Sequence, residues 1–132
     1  MKIRTELIHF SEALQLECGE TLDSFDLMIE SYGELNESKS NAIIVCHAFS
    51  GNHHVAGENK ELGIGWWDQI VGPKKAIDTD KYYVVCCNNL GGCAGSSGPT
   101  SINKKTGKGF GKDFPQVSVS DWVNSQKILM DK

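Results

Sequence analysis

Apolar and polar positions divide the chain into a few short elements separated by longer polar stretches. In "FDLMIESY", Phe25 to Tyr32, the apolar residues Phe25, Leu27 and Ile29 fall on every second position. Strand side chains alternate between the two faces, so this spacing predicts a strand with one face buried. "NAIIVCH", Asn41 to His47, is instead an almost unbroken apolar run, the pattern of a parallel strand covered on both faces. "KYYVVCC", Lys81 to Cys87, predicts a second strand of that kind. Between them, "WWDQIV", Trp66 to Val71, reads as a short helix stopped by Gly72 and Pro73.

A longer helix is predicted near the end of the sequence. Ser118 can cap it, and Asp121, three residues on, completes a capping box. Val119, Trp122, Val123, Gln126, Leu129 and Met130 form an approximate stripe for burial. From Asn88 to Pro115 the chain is rich in Gly, Ser, Asn and Lys and reads as loop. The order strand, strand, helix, strand, helix predicts an α/β fold with a mostly parallel sheet. A length of 132 residues suits one domain and is short for two, and no internal repeat or linker is visible.

Composition then narrows the function. With 39% hydrophobic and 23% charged residues, the chain is neither fibrous nor membrane-spanning. Thirteen Lys and Arg against 17 Asp and Glu argue against a nucleic-acid partner, which calls for a basic stripe. "MKIRTELIHF" lacks the apolar run of a secretory signal, so a cytoplasmic location is expected. Five cysteines, an odd number with two adjacent, make a poor disulfide framework. His47, His53 and His54 lie near Cys46 and raise the question of zinc. No C-x-x-C pair exists, however, and Cys86 and Cys87 on a strand point to opposite faces, so no metal site is expected.

One stretch imitates a catalytic motif. Within "YVVCCNNLGGCAGSSGPTS", Gly91 to Gly95 reads G-x-C-x-G, the outline of a nucleophile elbow with Cys93 in place of serine. An elbow turns sharply from a strand into a helix, and the glycines and proline that follow Cys93 cannot start one. All four histidines precede Cys93, whereas the base of an elbow enzyme comes last in the chain. Cys93 is therefore read as non-catalytic, in a loop whose glycines serve backbone geometry. "GKGFGK" has Lys112 where the last glycine of a dinucleotide fingerprint belongs, and Lys104, Lys105, Lys108 and Lys112 read as a solvated loop.

"VCHAFSG", Val45 to Gly51, is the stretch read as carrying chemistry. A buried strand delivers the backbone into a loop with small residues on either side of Phe49. Small neighbours let a main-chain N–H approach a substrate oxygen closely enough to stabilise developing negative charge. His47 reads as a structural histidine that bonds the loop backbone.

Taken together, "SYGELN", "SNAIIVCHAFSGNHHVAG", "GWWDQIVGPKKAIDTDKYYVVCCNNLGGCAGSSGPTS" and "TGKGFGKDFPQVSVSDWV" resemble the homoserine O-acetyltransferase family of α/β-hydrolase-fold acyltransferases. The resemblance runs from about Leu16 to the end. Phe49 and Ser50 stand where the family commonly has Leu and Thr, and Ser97 where it often has Thr. The resemblance implies a partial α/β-hydrolase domain over residues 1–132, holding the early strands and first two helices and stopping before the nucleophile elbow. It also implies acyl transfer from acetyl-CoA to the hydroxyl of L-homoserine through a serine acyl-enzyme, in methionine biosynthesis, with no bound cofactor. Water must be kept from such an acyl-enzyme, or the transferase becomes an esterase.

The serine, the acid and the histidine of that mechanism are not among these residues. The implied contribution of this chain is the Phe49 N–H in the oxyanion hole, with Ala48, Ser50 and Gly51 shaping the loop. Succinyl transfer to homoserine, acetyl transfer to serine, and a non-catalytic truncated product or interaction module stay open as alternatives. The implied partners are homoserine and acyl-CoA, with a homodimer at full length and neither nucleic acid nor membrane. The family's sheet order sets Asn41–His47 beside a strand beyond Lys132, so alone it would be an exposed apolar edge.

Overall fold

The alternating stretch forms the strand its spacing predicts, Phe25–Tyr32, in a computed structural model that describes every residue from Met1 to Lys132. It belongs to a four-stranded sheet whose order is Ile3–Phe10, Phe25–Tyr32, Tyr83–Cys87 and Ala42–Val45. By contacts the chain forms two compact units, one of residues 1–6 and 29–87, the other of residues 7–28 and 88–132.

In the first unit the β-branched run Tyr83–Cys87 is the centre of the ladder. It pairs antiparallel with the preceding strand, Val84 opposite Tyr32 and Cys87 opposite Ile29. On its other side it pairs parallel with Ala42–Val45, Tyr83 opposite Ala42 and Cys86 opposite Val45. The sheet is thus mixed here, not mostly parallel. Tyr32, Val45, Val55, Ala56, Val71, Val84 and Cys86 form the core, with Ile43 and Ile77 packed against it.

Ala42–Val45 pairs in parallel as its sequence predicts, and it is the edge strand of the sheet. Its cover is one-sided: Val45 is buried and Ile43 half-buried, while Ala42 and Ile44 are exposed. That open side is the exposed apolar edge expected of this strand in these residues alone. The expected Trp66–Val71 helix is absent, and residues 66–70 form consecutive turns. The Trp67 N–H donates out of the segment to the Val55 carbonyl (2.8 Å), and Val71 leaves it to pair with Ile77. Only one helix longer than a single turn forms, not two.

In the second unit that helix runs Val119–Met130. Its capping box is complete: the Asp121 N–H donates to Ser118 Oγ (3.2 Å) and the Ser118 N–H to Asp121 Oδ2 (2.8 Å). The buried face is Asp121, Ser125 and Leu129, rotated from the apolar stripe, and Val119, Val123 and Met130 are exposed. A carboxylate can face inward when it is hydrogen-bonded, and Asp121 Oδ1 accepts from the Glu17 N–H (3.0 Å). The Trp122 indole donates to the Leu90 carbonyl (2.8 Å), which ties the helix to the loop before Cys93. That loop, read as structureless to Pro115, also contains a small hairpin, Ile102–Asn103 with Lys108–Gly109. No helix is long and apolar enough to cross a membrane.

Candidate oxyanion loop

The first unit places the four residues singled out in the sequence in one tight turn. The Gly51 N–H donates to the Ala48 carbonyl (2.8 Å), closing a β-turn with Phe49 and Ser50 at its centre. Neither central residue has positive φ, which leaves type I among the common hydrogen-bonded turns. Ala48 and Ser50 are exposed, and Phe49 is 89% exposed. The turn follows directly from the edge strand, so its position is set by the ladder to Tyr83–Cys87.

His47 holds the turn from beneath. It is buried, and its Nδ1 lies 2.7 Å from the Ala48 carbonyl oxygen. A carbonyl only accepts, so Nδ1 carries the proton and donates. This is the backbone-bonding role expected of His47. At Gly51 an added Cβ would stand 3.0 Å from His47 Cβ and 3.2 Å from both His47 Nδ1 and the Ala48 oxygen. A larger residue would sit tightly against both the ring and the carbonyl it binds, and these would have to give by a few tenths of an ångström.

The chain leaving the turn is fixed as firmly. The Asn52 carbonyl accepts from the Trp66 indole N–H (3.0 Å), and Asn52 Oδ1 from the His54 N–H (2.9 Å). Residues 54–56 are then clamped by a buried network that the sequence did not reveal. Glu30, 1% exposed, takes a hydrogen bond from the Tyr32 hydroxyl, another from Thr5 Oγ1 (2.9 Å), and faces His54 Nδ1 at 2.7 Å. The Tyr32 oxygen in turn accepts from the Val55 N–H (2.7 Å) and the Ala56 N–H (3.1 Å). Burial, and next the bond to Glu30, push the phenol well above its ordinary range, so it stays protonated. Burial has the opposite effect on the base at His53 and lowers its pKa, which favours the neutral ring. The spacing of 24 residues between Glu30 and His54 carries no pattern a sequence reader could use.

Cys93 lacks the surroundings of an elbow nucleophile. No helix follows it; residues 93–98 are bends, and the next α-helix begins at Val119. Amides of its loop are committed internally: Gly91 N–H to the Ser97 carbonyl (2.7 Å) and Gly92 N–H to the Asn89 carbonyl (2.9 Å). Cys86 and Cys87 are buried, and burial pushes both thiols up to about 12, far from the reactive thiolate. The second unit also holds an open cavity of about 650 Å³ lined by Asp23, Asp26, Lys104, Lys105, Phe110 and Phe114 among others. None of the residues of the turn lines it, and its charges pair across it, Lys105 with Asp23 at 3.1 Å.

Solved structures give the class to which this arrangement of strands belongs, the α/β-hydrolase fold. The crystal structure of homoserine O-acetyltransferase from Bacillus anthracis superposes with a TM-score of 0.89 at 35% identity, over 99% of this chain and 37% of that one. Esterase E22 superposes with a TM-score of 0.88 at 38% identity, over 98% of this chain and 37% of that one. Within the class, the chain is homologous over nearly its whole length to homoserine O-succinyltransferases and a homoserine O-acetyltransferase. The homoserine O-succinyltransferase of Alkalilimnicola ehrlichii is 58% identical over 126 residues, 94% of this chain and 33% of that protein. That of Neisseria gonorrhoeae is 57% identical over 131 residues, 98% of this chain and 35% of that protein. The chain thus spans about a third of the length of the curated relatives it matches. No family model matches it.

Proposed function

We propose that the full-length protein carrying this segment transfers an acyl group from acyl-CoA to the hydroxyl of L-homoserine, and that the segment supplies the Phe49 N–H to the oxyanion hole. In this reading a serine outside these residues attacks the thioester, CoA leaves, and the homoserine hydroxyl takes the acyl group from the serine ester. Each half-reaction passes through a tetrahedral oxyanion, and a preorganised main-chain donor stabilises both. The carrying observation is the type I turn Ala48–Gly51 at the end of the edge strand, in a chain whose relatives bear the homoserine acyltransferase name. Succinyl-CoA is the favoured donor, supported by relatives of that name at 51–58% identity; acetyl-CoA is the second reading, supported by the Bacillus anthracis structure. Rates measured with each thioester separate the two.

The turn geometry makes the oxyanion role directly testable. Proline is favoured at the first central position of a type I turn, so Phe49→Pro removes the N–H while leaving the turn. In the full-length enzyme we expect kcat to fall about 10²- to 10³-fold, as when an oxyanion donor is deleted. Phe49→Ala keeps the N–H and should change kcat little. A folded Phe49→Pro enzyme with undiminished kcat would show that this amide does not stabilise the oxyanion.

A further inference from the structure

We infer that His47 is a positioning residue for the reaction: its Nδ1–H grips the Ala48 carbonyl and thereby aims the Phe49 N–H of the same peptide. The inference rests on the reading of Phe49 as the oxyanion donor and assigns His47 a role through the peptide it holds.

The argument is one of peptide geometry. The Ala48 carbonyl and the Phe49 N–H belong to one planar unit, and in a trans peptide they point in opposite directions. The chain contains no cis peptide bond. Whatever fixes the carbonyl therefore fixes the amide. The Ala48 oxygen has two lone pairs, and the structure fills both: Gly51 N–H at 2.8 Å from within the turn and His47 Nδ1 at 2.7 Å from the buried side. The turn bond alone leaves the plane able to rock about the chain axis, and the second donor removes that freedom. Donors on a carbonyl also polarise the peptide, which makes its N–H a stronger donor to developing charge. Gly51 belongs to the same device, since a Cβ there would crowd the ring and the carbonyl at 3.0–3.2 Å.

The positioning role uses only the Nδ1–H of His47, which lies 2.7 Å from the Ala48 carbonyl oxygen. The test uses two polar replacements in the full-length enzyme. The side-chain amide of Asn can place its NH₂ where His carries Nδ1, whereas that of Gln falls nearer the position of Nε2. His47→Asn is expected to keep most of the activity. His47→Gln is expected to lower kcat on the order of tenfold, less than outright deletion of a donor, with KM for both substrates unchanged. In a Phe49→Pro background, His47→Gln should bring no further loss, because the amide it would misdirect is gone.

Thermal transitions of all variants separate a positioning effect from a loss of folded protein. Equal kcat for the Asn, Gln and parent enzymes, alongside a collapsed Phe49→Pro enzyme, would overturn the role of His47 and leave that of Phe49 intact. Full kcat in Phe49→Pro would instead remove the reading on which the inference stands. Losses in the Asn and Gln variants that are equal and follow their thermal transitions would reduce His47 to a structural residue.

Discussion

Two loops leave neighbouring strands of one sheet, and they use small residues for opposite ends. The loop after Ala42–Val45 contains one glycine in its turn, Gly51, and everything around it serves to hold one peptide plane. The loop after Tyr83–Cys87 contains Gly91, Gly92, Gly95 and Gly98, and these let it fold tightly on itself and on residues 26–28. Ser97 N–H donates to the Asp26 carbonyl (2.8 Å), and Asp26 N–H and Met28 N–H donate back to Ser97 Oγ (2.8 Å) and Ser96 Oγ (2.9 Å). Gly95 adopts φ +104°, and a Cβ there would stand 2.7 Å from Met28 Cε. Glycine density therefore marks close backbone contact. A single glycine beside an anchored carbonyl marks presentation of a donor.

The largest effect on stability should come from the anchor behind the first loop. Tyr32→Phe deletes an oxygen that accepts from two buried amides and donates to Glu30. Buried groups left without partners cost about 1–3 kcal/mol each, so we expect a loss of about 3 kcal/mol in denaturant unfolding. Because residues 54–56 would loosen, kcat should fall with it. A loss below about 1 kcal/mol would mean that the turn does not depend on this network.

Next in size is the second loop. A Cβ at Gly98 would lie 2.8 Å from the Gly92 carbonyl oxygen and 3.2 Å from the Gly91 carbonyl carbon, both backbone atoms that cannot step aside singly. Gly98→Ala should cost about 2 kcal/mol, in the range for overpacking, and leave the kcat of the folded fraction unchanged. A drop in kcat at unchanged stability would reverse the contrast and give the glycine loop a chemical role.

The same contrast shows what the sequence could disclose. Local signals were legible: period-two spacing gave Phe25–Tyr32, and the Ser118–Asp121 box gave the helix start, because each depends on neighbours in the chain. The turn Ala48–Gly51 was legible as a small-residue stretch after a strand, although its link to Phe49 came through family resemblance. What depends on distant partners was hidden. The Trp66–Val71 pattern fits a helix, yet the Trp66 and Trp67 amides donate to the carbonyls of His54 and Val55, and Val71 pairs with Ile77. Helix periodicity pointed to Val119 and Val123, and the carboxylate of Asp121 turned inward because Glu17, far away in sequence, supplied a donor. Glu30 became a buried hub for the same reason, through Thr5, Tyr32 and His54.

The smallest expected effect is the one that separates motif from mechanism. Cys93 is exposed and stands at the centre of G-x-C-x-G, so a reader of motifs would replace it first. An elbow nucleophile acts because a helix N-terminus and a free amide stand over the attacked carbonyl, and a neighbouring base takes its proton. At Cys93 the following residues bend instead of entering a helix. Cys93→Ser should therefore shift stability by no more than about 0.5 kcal/mol, as surface substitutions do, and leave kcat and KM of the full-length enzyme at parental values. Thiol-directed alkylation gives the complementary reading: modification of Cys93, followed by mass spectrometry, should proceed at the pace of an ordinary exposed thiol. Rapid labelling that substrate blocks, together with a serine variant of altered kcat, would place chemistry in the glycine loop and dissolve the distinction between the two.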